Sequence, residues 1–275
     1  MRSQSTLNHT QTQFSPSSAA GARQFARMSR RRTPWLIGWE AARANAAPAF
    51  VLQSVMLAIL LAYYFHPASA ALLNALAEFK QRHGLTFVLI ASVIVGAVLP
   101  ELFVIVFFQR GRIRLQNGRN FVFNAPFWAF DGFLVNLMYR ALAEWLGDRT
   151  SVPIVTAKIC LDQFGYNPFF AAPFGIWGYA WKNSGYSFAK LRPLLTWQYY
   201  REHAFPVLVA TWAVWIPLMA VIYSLPLALQ FPLFALALAF WVLMMTYMTN
   251  RFAGKIEADA ELPISVAGRV EELKR

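Results

Sequence analysis

The sequence predicts an all-α membrane protein, a polytopic bundle of about six transmembrane helices. Of its 275 residues, 57% are hydrophobic and only 14% are charged, whereas a soluble domain usually has about 25% charged residues. Aromatic residues make up 16% of the chain, and the mean hydropathy is +0.40. Long apolar segments alternate with short basic ones, a pattern typical of polytopic membrane proteins.

The N-terminal segment 1–45 differs from the rest of the chain. It is rich in Ser, Gln, Thr and Arg, contains no acidic residue before Glu40, and lacks the apolar core of a secretory signal. Two interpretations remain open: a mitochondrial transit peptide, or a disordered basic arm that lies on anionic lipids at the cytoplasmic surface. Both predict that residues 1–45 are poorly ordered.

A transmembrane helix needs about 20 mostly apolar residues. Residues 46–250 contain the segments that approach this length, and we assign them to the bundle. The segments are 46–65, 86–108, 121–146, 154–181, 204–224 and 228–248. Five or four spans are the alternatives, if one of these segments is re-entrant or interfacial.

The charges of the connecting segments favour six spans with both termini inside. If the N-terminus is inside, the inside segments 109–119 and 182–203 each contain four Lys or Arg residues. The connections on the other side are less basic, and the one at 225–227 has no charge. This asymmetry follows the positive-inside rule. The same distribution, short basic segments between apolar runs, argues against nucleic acid as the partner despite a net charge of +12.

The C-terminal tail 251–275 mixes both signs of charge and is predicted to be solvated. Cys160 is the only cysteine, which excludes an intrachain disulfide and a multi-cysteine metal site. Because it lies in an apolar run, we expect it to be a buried and inert thiol.

Polar residues inside the spans are the candidate functional residues. A charged side chain at a helix centre costs about 2.5 to 3.5 kcal/mol on insertion scales, so it should face a partner, the bundle interior or a water-filled cavity. The candidates within these segments are Glu101, Asp131, Arg140, Lys158, Asp162 and Gln163.

The stretch TAKICLDQFGYNP concentrates three of these residues. Lys158 and Asp162 are four residues apart, so on an α-helix they share a face and can form an ion pair. Lys158 can also extend towards the membrane interface, whereas Asp162 lies deeper and needs a partner more. Three roles remain open for these groups: a polar anchor between helices, a polar pathway for ions or small solutes, and a catalytic site, the last being the least supported.

The sequence offers no positive argument for an enzyme or a cofactor. The four histidines are dispersed and no HExxH occurs, so a zinc protease site is absent from the sequence. No G-x-S-x-G and no GxxxxGK[ST] occurs. We therefore predict no catalytic residue, no metal site and no cofactor. Trp212 and Trp215 are interpreted as packing residues, and Pro206 as a helix kink that neighbouring helices tolerate.

An ordered set of motifs between about 125 and 251 resembles the Mpv/PMP family, integral proteins of the mitochondrial inner membrane and the peroxisome. Lys158, Asp162-Gln163 and Pro168 match K-x-x-x-D-Q-x-x-x-x-P. The further pieces in this range are APFWAF with MYRAL, then WQYYREHAFPVLVATWAVW with Pro206, Trp212 and Trp215, then FWVLMMTYMTNR. Before this range, the stretch GAVLPELFVIVFFQ has Glu101 at an acidic position of the family pattern. Each piece alone is unspecific, and the resemblance rests on their order and spacing.

The departures from this pattern favour a divergent branch, and a bacterial member is one interpretation. Where family members tend to have polar residues on the helix around Trp212, this chain has Ala213, Ile216, Met219 and Ile222. The 46–65 span and the basic arm are additional to the four-span core that the family has.

The resemblance implies an integral membrane protein with channel-like or transporter-like passage of small solutes, contributing to membrane homeostasis. A structural membrane component or assembly factor without flux is the alternative, and a lipid-modifying enzyme is a weaker third. The expected partners are the lipid bilayer and an unidentified small solute, with homo-oligomerisation left open. The expected location is a bacterial inner membrane or the mitochondrial inner membrane.

Overall fold

The computed structural model of the chain describes residues 33–261, with side chains up to 243 and at 246. This range is helical and contains no β-strand. The α-helices are α1 Pro34–Ala44, α2 Ala46–Phe65, α3 Pro67–Val93, α4 Leu99–Phe107, α5 Leu115–Leu146, α6 Val152–Cys160, α7 Ala172–Asn183, α8 Phe188–Leu191, α9 Trp197–Tyr223 and α10 Leu227–Glu261. The all-α expectation is therefore confirmed for the described part of the chain.

Two π-helical segments interrupt this series. Ile94–Val98 joins α3 to α4, and Leu161–Ala171, called the π segment below, joins α6 to α7. A short 3₁₀ turn, Arg192–Leu194, follows α8. π-Helical turns are rare and are found frequently at functional sites, so the 11-residue π segment is the most unusual backbone feature of the described chain.

Within residues 33–261, four helical stretches are long and apolar enough to cross a membrane. They are Ala46–Phe65, Pro67–Phe107, Leu115–Leu146 and Trp197–Tyr223, with Leu227–Leu243 as a shorter apolar helix. These lengths support an integral membrane protein in a lipid bilayer. The predicted span 154–181 is not one continuous α-helix, because it consists of α6, the π segment and α7. The number of six spans stays a prediction.

The predicted connection between the first two spans is largely helical. α3 begins at Pro67, directly after His66, whose ring nitrogen accepts a hydrogen bond from the Ser69 backbone N–H. A proline in the first turn and this cap start a helix well before residue 86. Gly84 interrupts the helix with φ of +52°, a conformation that glycine adopts at little cost. The predicted span 86–108 begins directly after this break, whereas the helix before it was not predicted, because the mixed polarity of 67–85 concealed it.

The last part of segment 1–45, which was predicted to be poorly ordered, is helical. Residues Pro34–Ala44 form α1, which packs against α9. At Gly38 the two helices approach so closely that an added Cβ would lie 2.6 Å from the Pro206 carbonyl oxygen. Residues Pro34–Met248 form a compact unit. The predictions for residues 1–32 and 262–275 lie outside the described residues.

α9 lies at the centre of the compact unit Pro34–Met248. It packs against α1, α2, α6, α7 and the π segment. In its most apolar stretch of 18 residues, 50% of the residues are buried, compared with 17–28% for the other three long helices. Its interior side chains include Val214, Leu218 and Ile222, which pack into the main hydrophobic core. Because protein surrounds α9 on several sides, its polar side chains can form hydrogen bonds with neighbouring segments, as they do with the π segment.

Candidate functional site

Asp162 lies at the start of the π segment and is the centre of the candidate site. Only 5% of its surface is exposed, and its carboxylate Oδ2 accepts a hydrogen bond of 2.9 Å from the Tyr223 hydroxyl on α9. Tyr223 is completely buried. A hydrogen bond to an ionised carboxylate is stronger than one between neutral groups, so this contact ties the π segment to the last turn of α9.

A second tyrosine extends this centre. The ring of Tyr139, on α5, meets the ring of Tyr223 edge to face, with centroids 5.5 Å apart. Its hydroxyl is 4.0 Å from the Met219 sulfur, a weak acceptor. The charge of Asp162 acts on both tyrosines. Helices α5 and α9 and the π segment therefore meet at this point.

Asp131 and Tyr166 complete the group. Asp131, on α5, is partly buried, and no hydrogen bond or ion pair to its carboxylate is found within the described residues. The hydroxyl of Tyr166, in the π segment, is buried and has no hydrogen-bond partner in residues 33–261. Tyr166 is close enough to Asp131 and Asp162 for both charges to act on it. Leaving a buried hydroxyl unpaired costs about 1–3 kcal/mol, which a water molecule, an ion or a polar solute would offset.

The π segment is held to α9 by two further hydrogen bonds. The Trp212 indole N–H donates to the Gln163 carbonyl oxygen at 2.8 Å, and the Tyr200 hydroxyl donates to the Pro168 carbonyl oxygen at 2.7 Å. Pro168 has no N–H, so the local backbone ladder is incomplete. Side-chain donors on a neighbouring helix satisfy carbonyl groups that such an interruption frees, and Trp212 and Tyr200 do this here.

Gln163 and Trp215 take different roles. The Gln163 side chain is buried, and its Oε1 accepts a hydrogen bond of 3.4 Å from Asn167 one turn later. Trp215 is buried against Phe234 of α10, with ring centroids 5.6 Å apart, as expected of a packing residue. Trp212 was interpreted as packing alone, and that interpretation missed its bond to the Gln163 backbone.

Lys158 does not pair with Asp162. No ion pair within 4.0 Å joins these two described residues. Lys158 is 1% exposed, and the carboxylate whose charge acts on it is Asp148, in the connection between α5 and α6. Both residues are buried, but their side chains have different surroundings. Asp162 is paired with a tyrosine instead of a lysine.

Glu101 lies apart from this centre, near the connection between α4 and α5. Its Oε2 accepts a hydrogen bond of 2.7 Å from Asn117, whose own Oδ1 accepts from the Arg114 backbone N–H. The ammonium of Lys182 lies 5.1 Å from the Phe123 ring centroid. Partial burial lowers the pKa of Lys182, and the Glu101 carboxylate acts in the opposite direction. This arrangement fixes the ends of helices and has the character of a structural anchor.

Arg140 is also separate from the Asp162 centre. It lies on α5 at the wall of a cavity near the connection between α9 and α10. Arg140 and Glu144 are four residues apart on α5, and no ion pair within 4.0 Å joins them in the described chain. Cys160 corrects another expectation: it lies on the exposed face of α6, away from the face that buries Lys158.

The buried tyrosines are the members of the site that the sequence analysis missed. Tyr139, Tyr166 and Tyr223 were passed over because tyrosine is common in apolar and interfacial segments alike. A tyrosine hydroxyl inside an apolar segment generally needs a partner when buried. Tyr223, in the apolar run AVIYSLP, carried that signal.

No family model matches the chain, and neither the curated proteins nor the solved structures include a match to it. The interpretation of the site therefore depends on its own geometry. Among the described residues, no group of three or more His, Cys, Asp or Glu side chains could hold a metal ion. The site offers one buried carboxylate, one partly buried carboxylate and a set of tyrosine hydroxyls. These groups can exchange hydrogen bonds with a polar solute or stabilise a cation.

Proposed function

We propose that this chain is an integral membrane protein of the Mpv/PMP type that gives small solutes or ions a channel-like or transporter-like passage. Six spans, with both termini inside, and a bacterial or mitochondrial inner membrane belong to the same proposal. The observation that carries it is the Tyr166 hydroxyl, buried without a partner in residues 33–261 and within electrostatic reach of Asp131 and Asp162. A polar solute or ion would supply the bond that this hydroxyl lacks.

A structural role without flux is the second candidate. It is supported by the hydrogen bonds from Tyr223, Trp212 and Tyr200, which attach the π segment to one helix along its length. In that case the polar groups hold the bundle together, and the passage of solutes plays no part.

Asp162→Asn separates the two candidates. Asparagine retains an oxygen that accepts the Tyr223 hydrogen bond, so the fold should persist while the negative charge is lost. We expect discrete currents from the purified protein in planar bilayers, and a changed ion selectivity in the variant. The matched control is Glu78→Gln, an exposed carboxylate paired with Arg82 on α3, which should leave selectivity unchanged.

The opposite results are equally informative. Absence of current from both folded proteins, over a range of voltage and pH, would support the structural role. Currents whose selectivity is the same in wild type and Asp162→Asn would remove Asp162 from the conducting path.

A further inference from the structure

A second polar region lies at the end of the bundle where α9 turns into α10. It is a cavity of about 500 Å³ between α3, α5 and the α9–α10 connection. Its charged lining residues are Lys80 on α3, Arg140 on α5 and Asp148 after α5. We call it the Lys80–Arg140 cavity. None of the groups of the Asp162 centre lines it, so it is a separate site.

The two cations face the same space without a carboxylate partner. No ion pair within 4.0 Å reaches Lys80 or Arg140 from any residue that the structure describes. The Arg140 charge acts unfavourably on Lys80. Asp148 is the single carboxylate of the lining, and its charge also acts on Lys158 of α6. Lys80 is partly buried and Arg140 is exposed. Two like charges that face one cavity repel each other, and a bound anion would relieve the repulsion.

The other lining residues fit a ligand that combines a charged group with an apolar part. Gln81 and Asn136 also line the cavity, and a side-chain amide can donate hydrogen bonds to an anion. Leu85, Phe133 and Leu137 make much of the remaining wall apolar. A guanidinium fork recognises the oxygens of phosphate in two parallel hydrogen bonds, and an ammonium adds a compact point charge.

We propose that the Lys80–Arg140 cavity binds a phosphate group, which Arg140 and Lys80 hold together and Gln81 and Asn136 orient. Two sources share this chemistry: the headgroup of an anionic phospholipid, whose acyl chains would follow the apolar wall, and a soluble phosphate. The site is independent of the proposed passage of solutes, and either can fail without the other.

The test uses the full chain, purified in an uncharged maltoside detergent. Inorganic phosphate is titrated by calorimetry at constant ionic strength, and retention of phosphatidylglycerol is compared with that of diacylglycerol by native mass spectrometry. Binding of phosphatidylglycerol alone assigns the site to a lipid, and binding of inorganic phosphate assigns it to a soluble phosphate. Failure of both probes to bind, or equal retention of diacylglycerol, overturns the proposal.

Variants locate the binding. Lys80→Gln and Arg140→Gln should each lower the affinity for the bound probe roughly tenfold or more, which is the loss expected for one hydrogen bond to a charged group. Arg82→Gln, on the same helix as Lys80 but absent from the cavity wall and paired with Glu78, should bind as wild type does. If Arg140→Gln does not fold, Arg140→Lys retains the charge without the fork and should still weaken binding. Unchanged affinity in the cavity variants, or an equal loss in Arg82→Gln, contradicts the assignment.

Discussion

The hydroxyl of Tyr223 donates a hydrogen bond of 2.9 Å to the carboxylate of Asp162, and this bond joins the end of α9 to the start of the π segment. Tyr223 is fully buried and Asp162 is 5% exposed. The ionisable carboxylate of Asp162 is therefore held in the apolar bundle by a tyrosine that is itself buried there. The stability of the bundle and the environment of the carboxylate should consequently change together.

Tyr223→Phe should destabilise the protein. The change removes the donor while keeping the ring that packs against Tyr139, and leaves a buried carboxylate with one bond fewer. We expect a loss of about 1–3 kcal/mol in the free energy of unfolding, measured by reversible unfolding in detergent. Tyr64→Phe is the control, because its bond to the Ser224 carbonyl is exposed and water can replace it. Equal losses in the two variants would show that burial of the Asp162 bond contributes nothing.

Trp212→Phe should loosen the π segment. It keeps an aromatic ring against Phe164 but removes the N–H that donates to the Gln163 carbonyl oxygen. We expect faster hydrogen exchange at the backbone amides of 161–171, since a freed carbonyl weakens local order. Trp145→Phe, at a tryptophan that is 81% exposed, should leave that exchange unchanged. Unaltered protection in Trp212→Phe would mean that the π segment is stable without this bond.

Much of the architecture could be predicted from the sequence because hydrophobicity along the chain is enough to locate apolar helices. The helix that begins at Ala46 and the helix that ends at Tyr223 both follow from this signal alone. The helix that starts at Pro67 could not be found in this way, since its first half is only moderately apolar and its start depends on the local cap at His66.

The candidate site was only partly predictable. Helical spacing placed Lys158 and Asp162 on one buried face, but it assumed α-helical geometry through Asp162, where the backbone is π-helical. It also took the nearest opposite charge in sequence as the partner. The actual partner, Tyr223, is 61 residues away. Contacts between distant helices depend on how the helices pack, and a local pattern does not contain that information.

Gly38→Ala should separate α1 from α9. A Cβ at this position would lie 2.6 Å from both the Pro206 carbonyl oxygen and the Val209 Cβ, so the helices must move apart. The expected result is a destabilisation of about 1–3 kcal/mol, the usual cost of overpacking. It is measured by thermal unfolding and by reduced disulfide cross-linking of cysteines introduced at the α1–α9 contact, in a background without Cys160.

Gly118→Ala is the matched control for that change. Gly118 lies inside α5, and an added Cβ there has nothing within 4 Å. Since alanine is a better helix former than glycine, this variant should be unchanged or more stable by up to about 1 kcal/mol. If Gly38→Ala were as stable as Gly118→Ala, the close contact between α1 and α9 would not exist in solution.

Tyr166→Phe should reduce flux without reducing stability. The Tyr166 hydroxyl makes no hydrogen bond within residues 33–261, so its removal takes away a buried unpaired polar group and should leave the thermal midpoint equal or higher. If a solute or ion bonds this hydroxyl during passage, the same change should lower conductance in planar bilayers. Tyr186→Phe, at an exposed tyrosine outside the site, should alter neither property. A loss of stability with unchanged conductance would instead make Tyr166 part of a structural network, and the passage of solutes would have to avoid the Asp162 centre.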